Sequence, residues 1–408
     1  MPAVYYLTSR EGASMYTASA IRHFMRLAGI EEVADQERAE AIWCSICDPD
    51  ELPVLRRARQ MAAGRPVIMG GFEAYFPYPY LAWADYIVMG AAEGFVEAYG
   101  RDPRDALALD NVVSRLRPTG EPDYRIRYDR YPLVRMAGGN RYYYMGSRGC
   151  HRKCRFCATS WTQPYSRNSD RAIRAAVRQV ERQPRGKLTL IGNDSRNLIS
   201  SPAVAAQSVT VEDYLRDPER YRSRMLHFGI EGWTEEERRR LGKPIPDDHL
   251  RELLRVTKRL RQRCELFYIV FPDWGEERLA HLYDLLPWDV ELAPQIYLKM
   301  TYFDACPHTP LADQAISPVY CDTQGMFYRL NARCKRIRIF PTRSMARSAW
   351  RTCLHRATSE EAERLGVQPT DVNRPESFDL FRARLRQLGL EPLLSRHVDW
   401  SGIHVSTS

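Results

Sequence analysis

Cys150, Cys154 and Cys157 lie in the run Ser147-Arg148-Gly149-Cys150-His151-Arg152-Lys153-Cys154-Arg155-Phe156-Cys157. Three of the chain's ten cysteines thus fall within eight residues, spaced C-x3-C-x2-C, and no fourth follows nearby. Thiolates are the usual ligands of iron–sulfur clusters, and a four-iron cube normally takes four of them. Three leave one iron open for a substrate or cofactor. Zinc is the alternative, with His151 or a distant cysteine as fourth ligand. Structural zinc, however, usually takes two close ligand pairs, and this loop offers a triplet. Unligated thiols among Arg148, Arg152, Lys153 and Arg155 would be activated as thiolates and prone to oxidation, a poor state for idle residues.

The elements that must hold this loop are legible on either side of it. Tyr142–Ser147 reads as a strand, and a strand leading into a metal loop is the order found at the carboxyl mouth of a β/α barrel. Beyond the loop, helical periodicity covers 170–182, 247–263, 275–286 and 344–356. Strand-like runs cover 188–191, 225–230, 266–271, 295–301 and 336–340. Residues 195–220 form a polar insert without a clean pattern. Ahead of the loop, residues 1–100 alternate strands (4–7, 41–46, 67–69, 86–89) with helices (17–28, 49–63), the pattern of a doubly wound parallel sheet. Gly70, Gly71 and Gly90 stand where its strands end, the usual place for ligands. The Pro- and Arg-rich stretch 101–140 reads as a linker. A last helix over 375–388 is stopped by Gly389.

The cysteine spacing, with an aromatic residue just before the third cysteine, resembles the signature of the radical S-adenosylmethionine (SAM) superfamily. The resemblance implies a [4Fe–4S] cluster on Cys150, Cys154 and Cys157, its open iron chelated by the methionine part of SAM. It implies reductive cleavage of SAM to a 5′-deoxyadenosyl radical, fed by an electron donor of flavodoxin or ferredoxin type. Phe156 would lie near the adenine. Gly192-Asn193-Asp194 stands where the superfamily has a Gly-Gly-Glu-like turn that binds the methionine amine, with Gly192 and Asp194 as the candidates. Gly229-Ile230-Glu231, followed by Leu241-Gly242-Lys243, looks like the Gly-Ile-Glu segment whose carboxylate receives ribose hydroxyls, here Glu231. Pro307-His308-Thr309-Pro310 resembles a segment that closes the barrel in one class. In that class a cobalamin-binding-like domain comes first. The run Asp48–Pro53, the Gly-Gly turn and Gly90-Ala91-Ala92-Glu93 are similar to it. The class's Asp-x-His-x-x-Gly loop, whose histidine ligates cobalt, reads Thr8-Ser9-Arg10-Glu11-Gly12-Ala13-Ser14 here and holds no histidine. The expectation is cobalamin without that ligand, or a scaffold domain without cobalamin.

The fold class expected is therefore α/β: a Rossmann-like, cobalamin-binding-like domain (1–100), a linker (101–140), a partial (β/α)6 TIM-type radical SAM barrel (141–345) and a helical extension (346–408). Charge bears on the substrate. The chain carries 60 basic and 51 acidic residues, and only six of the basic ones are lysine. A GC-rich genome favours arginine codons; a polyanionic substrate favours arginine because it binds phosphate through two donors at once. A nucleotide or nucleic-acid-linked substrate is expected, and the chain is similar to phage thymidine-hypermodification radical SAM isomerases. A cobalamin-dependent methyltransferase and a zinc-stabilised nucleic-acid-binding protein without catalysis are the alternatives. Cys44-x-x-Cys47 closes a buried strand, where a packing role suffices. Cys264, Cys306, Cys321, Cys334 and Cys353 are spaced too widely for a compact second cluster. No apolar run is long enough to span a bilayer, no signal peptide is visible, and a cytoplasmic setting without membrane partners is expected.

Overall fold

The apolar runs of the N-terminal region pair into one six-stranded sheet. Its strands are β1 (Ala3–Thr8), β2 (Glu31–Glu32), β3 (Ala41–Ser45), β4 (Val67–Gly70), β5 (Tyr86–Val88) and β6 (Val112–Ser114), in the spatial order β2-β1-β3-β4-β5-β6. All neighbours are parallel except β6, which runs against β5. Helices Gly12–Leu27, Leu52–Met61 and Glu93–Arg101 make connections between strands. With helices on its faces, a parallel strand is buried on both sides, and β3 is buried at every position. The order reverses between β1 and β3, the topological switch point of a doubly wound sheet.

The computed structural model describes residues 1–9, 12–136, 139–192, 201, 203–204, 207–221, 225–232, 234–270, 296–313, 337–339, 341–365 and 377–395. By its contacts the chain divides into two units. The first comprises Met1–Val134, Cys353–Thr370 and Gln387–Leu393; the second comprises Arg135–Thr352, Asp371–Arg386 and Leu394–Ser408. Strand β6 lies inside the stretch that the sequence offers as a linker. Three residues are too few to show a period, yet Val112 and Val113 are fully buried. Arg115 fixes the end of the strand by donating to the Leu81 and Ala82 carbonyls at 2.7 and 2.8 Å. Within the first unit, buried Glu73 accepts a 2.7 Å bond from Tyr80 and sits 2.9 Å from Nε2 of His355, which ties the segment after residue 353 to the sheet region.

The second unit is a parallel arc. β7 (Val134–Arg135) flanks β8 (Arg141–Met145), which pairs parallel with β11 (Lys187–Ile191). Val204 bridges to Leu188, and β12 (Gln207–Ser208) pairs with β13 (Leu226–Glu231). β14 (Cys264–Val270), β15 (Ile296–Tyr302) and β16 (Ile337–Ile339) follow in chain order, each pair parallel. Strands in sequence order, with helices Asp170–Glu181, Val211–Arg216 and Asp247–Arg259 among the connections, make an incomplete β/α barrel. A short antiparallel ladder of β9 (Ser147–Arg148) and β10 (Ser166–Arg167) projects from the end of β8. Residues 207–220 of the polar insert carry secondary structure that their sequence does not announce. Thr210 caps helix Val211–Arg216, and Tyr214 is fully buried edge-on to Phe228, 5.3 Å between ring centres. Tyrosine supplies the apolar surface there, so aliphatic periodicity does not reveal it. The expected helix over 275–286 lies outside the described residues.

Candidate functional site

The cysteine loop is a closed excursion from the carboxyl end of β8. Its base is the ladder that pairs Ser147 with Arg167 and Arg148 with Ser166. Asn168 locks the exit by donating its amide to the Met145 carbonyl at 3.1 Å and its backbone N–H to Gly146 at 2.8 Å. Gly149 has a φ of +65°, and a Cβ there would lie 2.3 Å from the Pro164 carbonyl oxygen. No other residue lets the two arms of the loop approach so closely. Gly192, at the end of β11, is constrained in the same way. Its φ is +128°, and a Cβ would sit 2.2 Å from Ser147 Oγ, so this turn abuts the base of the loop.

Inside the loop, the Trp161 indole donates to the Cys154 carbonyl at 2.9 Å, and Cys157 N–H donates to the same carbonyl at 3.2 Å. The Arg155 N–H donates to Leu241 at 2.9 Å and its guanidinium to Arg240 at 3.2 Å, so the loop is docked on the segment 240–243. The loop's own cations are engaged elsewhere. Lys153 donates to the Ser160 carbonyl at 2.7 Å and lies over the Trp161 ring, and Arg152 pairs with Glu212 at 3.3 Å. The expectation that these cations activate all three thiols fails at Cys154. Burial raises that thiol above its ordinary pKa. The cation that opposes the rise is Lys243, while Cys157, Cys150 and Glu231 reinforce it.

Lys243 and Glu231 form a half-hidden pair at 2.9 Å, their side chains 13% and 12% exposed. The pair lies over Gly229, where a Cβ would be 2.2 Å from the ammonium and 2.3 Å from the carboxylate. Glu231 ends β13 at a register shift and carries a φ of +59°, which costs a residue with a Cβ about 1–2 kcal/mol. Strain of this kind persists where the surroundings impose it, commonly at functional sites. Next to the pair, Arg238 is fully buried. It donates to the Ile245 carbonyl at 2.7 Å and meets Asp247, which ties helix Glu235–Arg240 to the start of helix Asp247–Arg259.

The structure thus brings Cys150, Cys157 and Glu231 within electrostatic reach of Cys154. It sets Gly192 against the loop's base and leaves Phe156 half-buried inside the loop. Asp194 lies outside the described residues, as do Cys321 and Cys334. His308 is exposed, with a φ of +61°. Lys243, which the sequence offers only as the end of the Leu241-Gly242-Lys243 run, becomes a functional candidate through its pair with Glu231. Its signal was present, a lone lysine in an arginine-rich chain twelve residues after Glu231.

Two observations bear on whether the loop suits an iron–sulfur cluster. The donors are three free thiols on one clamped loop. Among the described residues, the buried hydroxyls of Ser147, at its base, and Ser160, after Cys157, have no hydrogen-bond partner and are free to donate to a group bound at the loop. Among the described residues no three His, Cys, Asp or Glu side chains already converge as a metal site.

No protein-family model matches the sequence, and no curated protein matches it. Solved structures do match the fold. TsrM from Kitasatospora setae, a radical S-adenosylmethionine methyltransferase with tryptophan and the SAM analogue aza-SAM bound, is 10% identical at a TM-score of 0.54, covering 77% of this chain and 75% of that one. OxsB, a cobalamin-dependent S-adenosylmethionine radical enzyme with aqua-cobalamin bound, is 12% identical at a TM-score of 0.56, covering 96% of this chain and 76% of that one. At such identities the likeness is one of fold: a doubly wound α/β unit followed by a partial parallel α/β barrel.

Proposed function

We propose that this chain is a radical SAM enzyme whose cluster is held by Cys150, Cys154 and Cys157. The observation that carries the reading is the clamped three-thiol loop at the carboxyl end of the first strand of a parallel β/α arc. Bound together, a [4Fe–4S] cluster and SAM supply reductive cleavage of the sulfonium to a 5′-deoxyadenosyl radical, which takes hydrogen from a substrate carbon. The chain's own part is to hold and orient. The ladder at 147–148 and 166–167 fixes the loop, and Gly192 keeps the end of β11 close to it. Glu231 would accept the ribose hydroxyls, its carboxylate steered by Lys243. Phe156 would face the adenine, and Asp194 would receive the methionine amine. A donor of flavodoxin or ferredoxin type would supply the electron. Free, buried thiols suit a reducing compartment such as the cytoplasm; among the described residues no helix is long and apolar enough to cross a membrane.

For the substrate, we favour a nucleotide or nucleic-acid-linked molecule that undergoes rearrangement, such as isomerisation of a modified thymidine; the arginine excess supports it. Cobalamin-dependent methyl transfer is the second reading, favoured by the matches to TsrM and OxsB. On that reading cobalamin would sit at the carboxyl edge of the first sheet without a histidine from the loop after β1. The test is anaerobic purification and reconstitution with iron and sulfide, followed by metal analysis and absorption spectra. About four irons per chain are expected, with loss of the cluster in Cys154→Ala. Zinc without iron would sink the reading, and a corrinoid spectrum after growth with cobalamin would select the second.

A further inference from the structure

Helix Asp170–Glu181 follows directly on the ladder that closes the cysteine loop. Its apolar side, Ile173, Ala176, Val177 and Val180, is buried, and Ser169 caps its start by accepting from the Ala172 N–H. The opposite side is a row of arginines: Arg171, Arg174, Arg178 and Arg182, all exposed. Spacings of three, four and four residues place them within about 80° of arc, and spread them over about 16 Å along the axis.

An arginine row on a helix is ordinarily offset by acidic neighbours at i±3 or i±4. Here the two acidic residues of the helix are committed elsewhere. Asp170 pairs with Arg167, and Glu181 accepts a 2.7 Å bond from the Ser201 hydroxyl. Among the described residues the four guanidiniums have no ion-pair or hydrogen-bond partner. Other helices of the same unit differ: Arg239 pairs with Glu235, Arg216 with Asp213 and Arg255 with Glu252. The row at 171–182 is thus a line of exposed guanidiniums without ion-pair partners among the described residues, starting four residues after the ladder that closes the cysteine loop.

We propose that this face is a phosphate track for a nucleic acid strand, leading toward the mouth of the barrel. Linear, regularly spaced guanidiniums match a polymer with one anion per repeat, and the planar fork of arginine binds phosphate through two donors. An anionic membrane is a poorer fit, because the apolar side of the helix is spent on the core and leaves nothing to insert among lipids. The inference deepens the nucleic-acid-linked reading but rests on the helix face alone. Its failure would leave the radical chemistry standing, and the converse also holds.

The test is binding of a fluorescent 20-nucleotide oligothymidylate by anisotropy across a salt series. It compares the reconstituted protein, the variant with Arg171, Arg174, Arg178 and Arg182 changed to Gln, and a control with Arg38, Arg216, Arg239 and Arg255 changed to Gln. The control removes the same charge from arginines that are already paired. Each lost phosphate contact should make the salt slope of log K less negative by about 0.7, or about 2.8 for four. Between 50 and 200 mM salt, about 50-fold of salt-driven affinity loss should then disappear in the track variant and persist in the control. If the four-fold variant misfolds, Arg178→Gln alone should shift the slope by about 0.7. Equal losses in both variants, salt-independent binding, no binding, or binding to phosphatidylserine vesicles in place of the oligonucleotide would overturn the proposal.

Discussion

Replacing Gly149 by alanine should open the cysteine loop, and the size of the effect can be worked out from two distances and an angle. At a φ of +65° the added Cβ brings the backbone cost of a left-handed residue, about 1–2 kcal/mol. It would also lie 2.3 Å from the Pro164 oxygen and 2.6 Å from the Gln163 oxygen, both backbone atoms that cannot swing away. Relieving that overlap strains or parts the two-residue ladder at the loop's base, adding about 1–3 kcal/mol on the scale of overpacked sites. The sum is about 2–5 kcal/mol. Gly64→Ala separates the two contributions. Its φ is +84°, but no atom lies within 4 Å of the new Cβ, so only the backbone cost of about 1–2 kcal/mol applies. A chain of two units is not expected to unfold in one step, so the readout is local: hydrogen–deuterium exchange of peptides covering 147–167. A loss of 2 kcal/mol or more raises exchange there by about 30-fold or more, at 1.4 kcal/mol per factor of ten. Exchange in β14 should hold, and iron uptake on reconstitution should fall. Wild-type protection of 147–167 in Gly149→Ala, or equal local effects of the two substitutions, would refute the account of the loop.

Two further outcomes follow from the charges nearby. Lys243→Met strands the Glu231 carboxylate, and breaking a buried pair costs about 3–5 kcal/mol, discounted to about 2–3 for its residual exposure. SAM affinity by calorimetry should fall while cluster content is kept, and adding Glu231→Gln should restore stability but not affinity; unchanged affinity in Lys243→Met would remove the steering role. His227, packed against Phe267, is held below its ordinary pKa chiefly by burial and also by Lys299, against the opposing pull of Glu265. The unfolded chain therefore binds the proton first, so stability is full above about pH 6.5. It should decline as pH falls from there through the folded value. Urea midpoints at pH 7.5 and 5.5 should show a decline that His227→Phe reduces, and an equal decline in the variant would assign it to other groups.

Much of this was legible in the residues, for identifiable reasons. Strands β3 and β4 stand out because parallel strands covered on both faces read as unbroken apolar runs, and β1 and β5, buried in part, still carry short apolar runs. The three cysteines stand out because their spacing is itself the chemistry. What stayed hidden depends on contacts distant in sequence. β6 is defined by pairing with β5 and not by a period of its own. The demand for glycine at 149 comes from residues 163 and 164. The importance of Lys243 comes from a carboxylate twelve residues away and a thiol in another segment. The arginine row was visible as composition. Its lack of partners became visible only once Asp170 and Glu181 were seen to be engaged elsewhere.

The central claim is that Cys150, Cys154 and Cys157 hold a cluster that cleaves SAM. Quantifying 5′-deoxyadenosine after anaerobic reduction of the reconstituted protein with SAM tests it most directly. The account predicts 5′-deoxyadenosine from the wild-type chain and none from Cys154→Ala. A fully loaded wild-type protein that releases none, or a Cys154→Ala variant that releases as much, would contradict it.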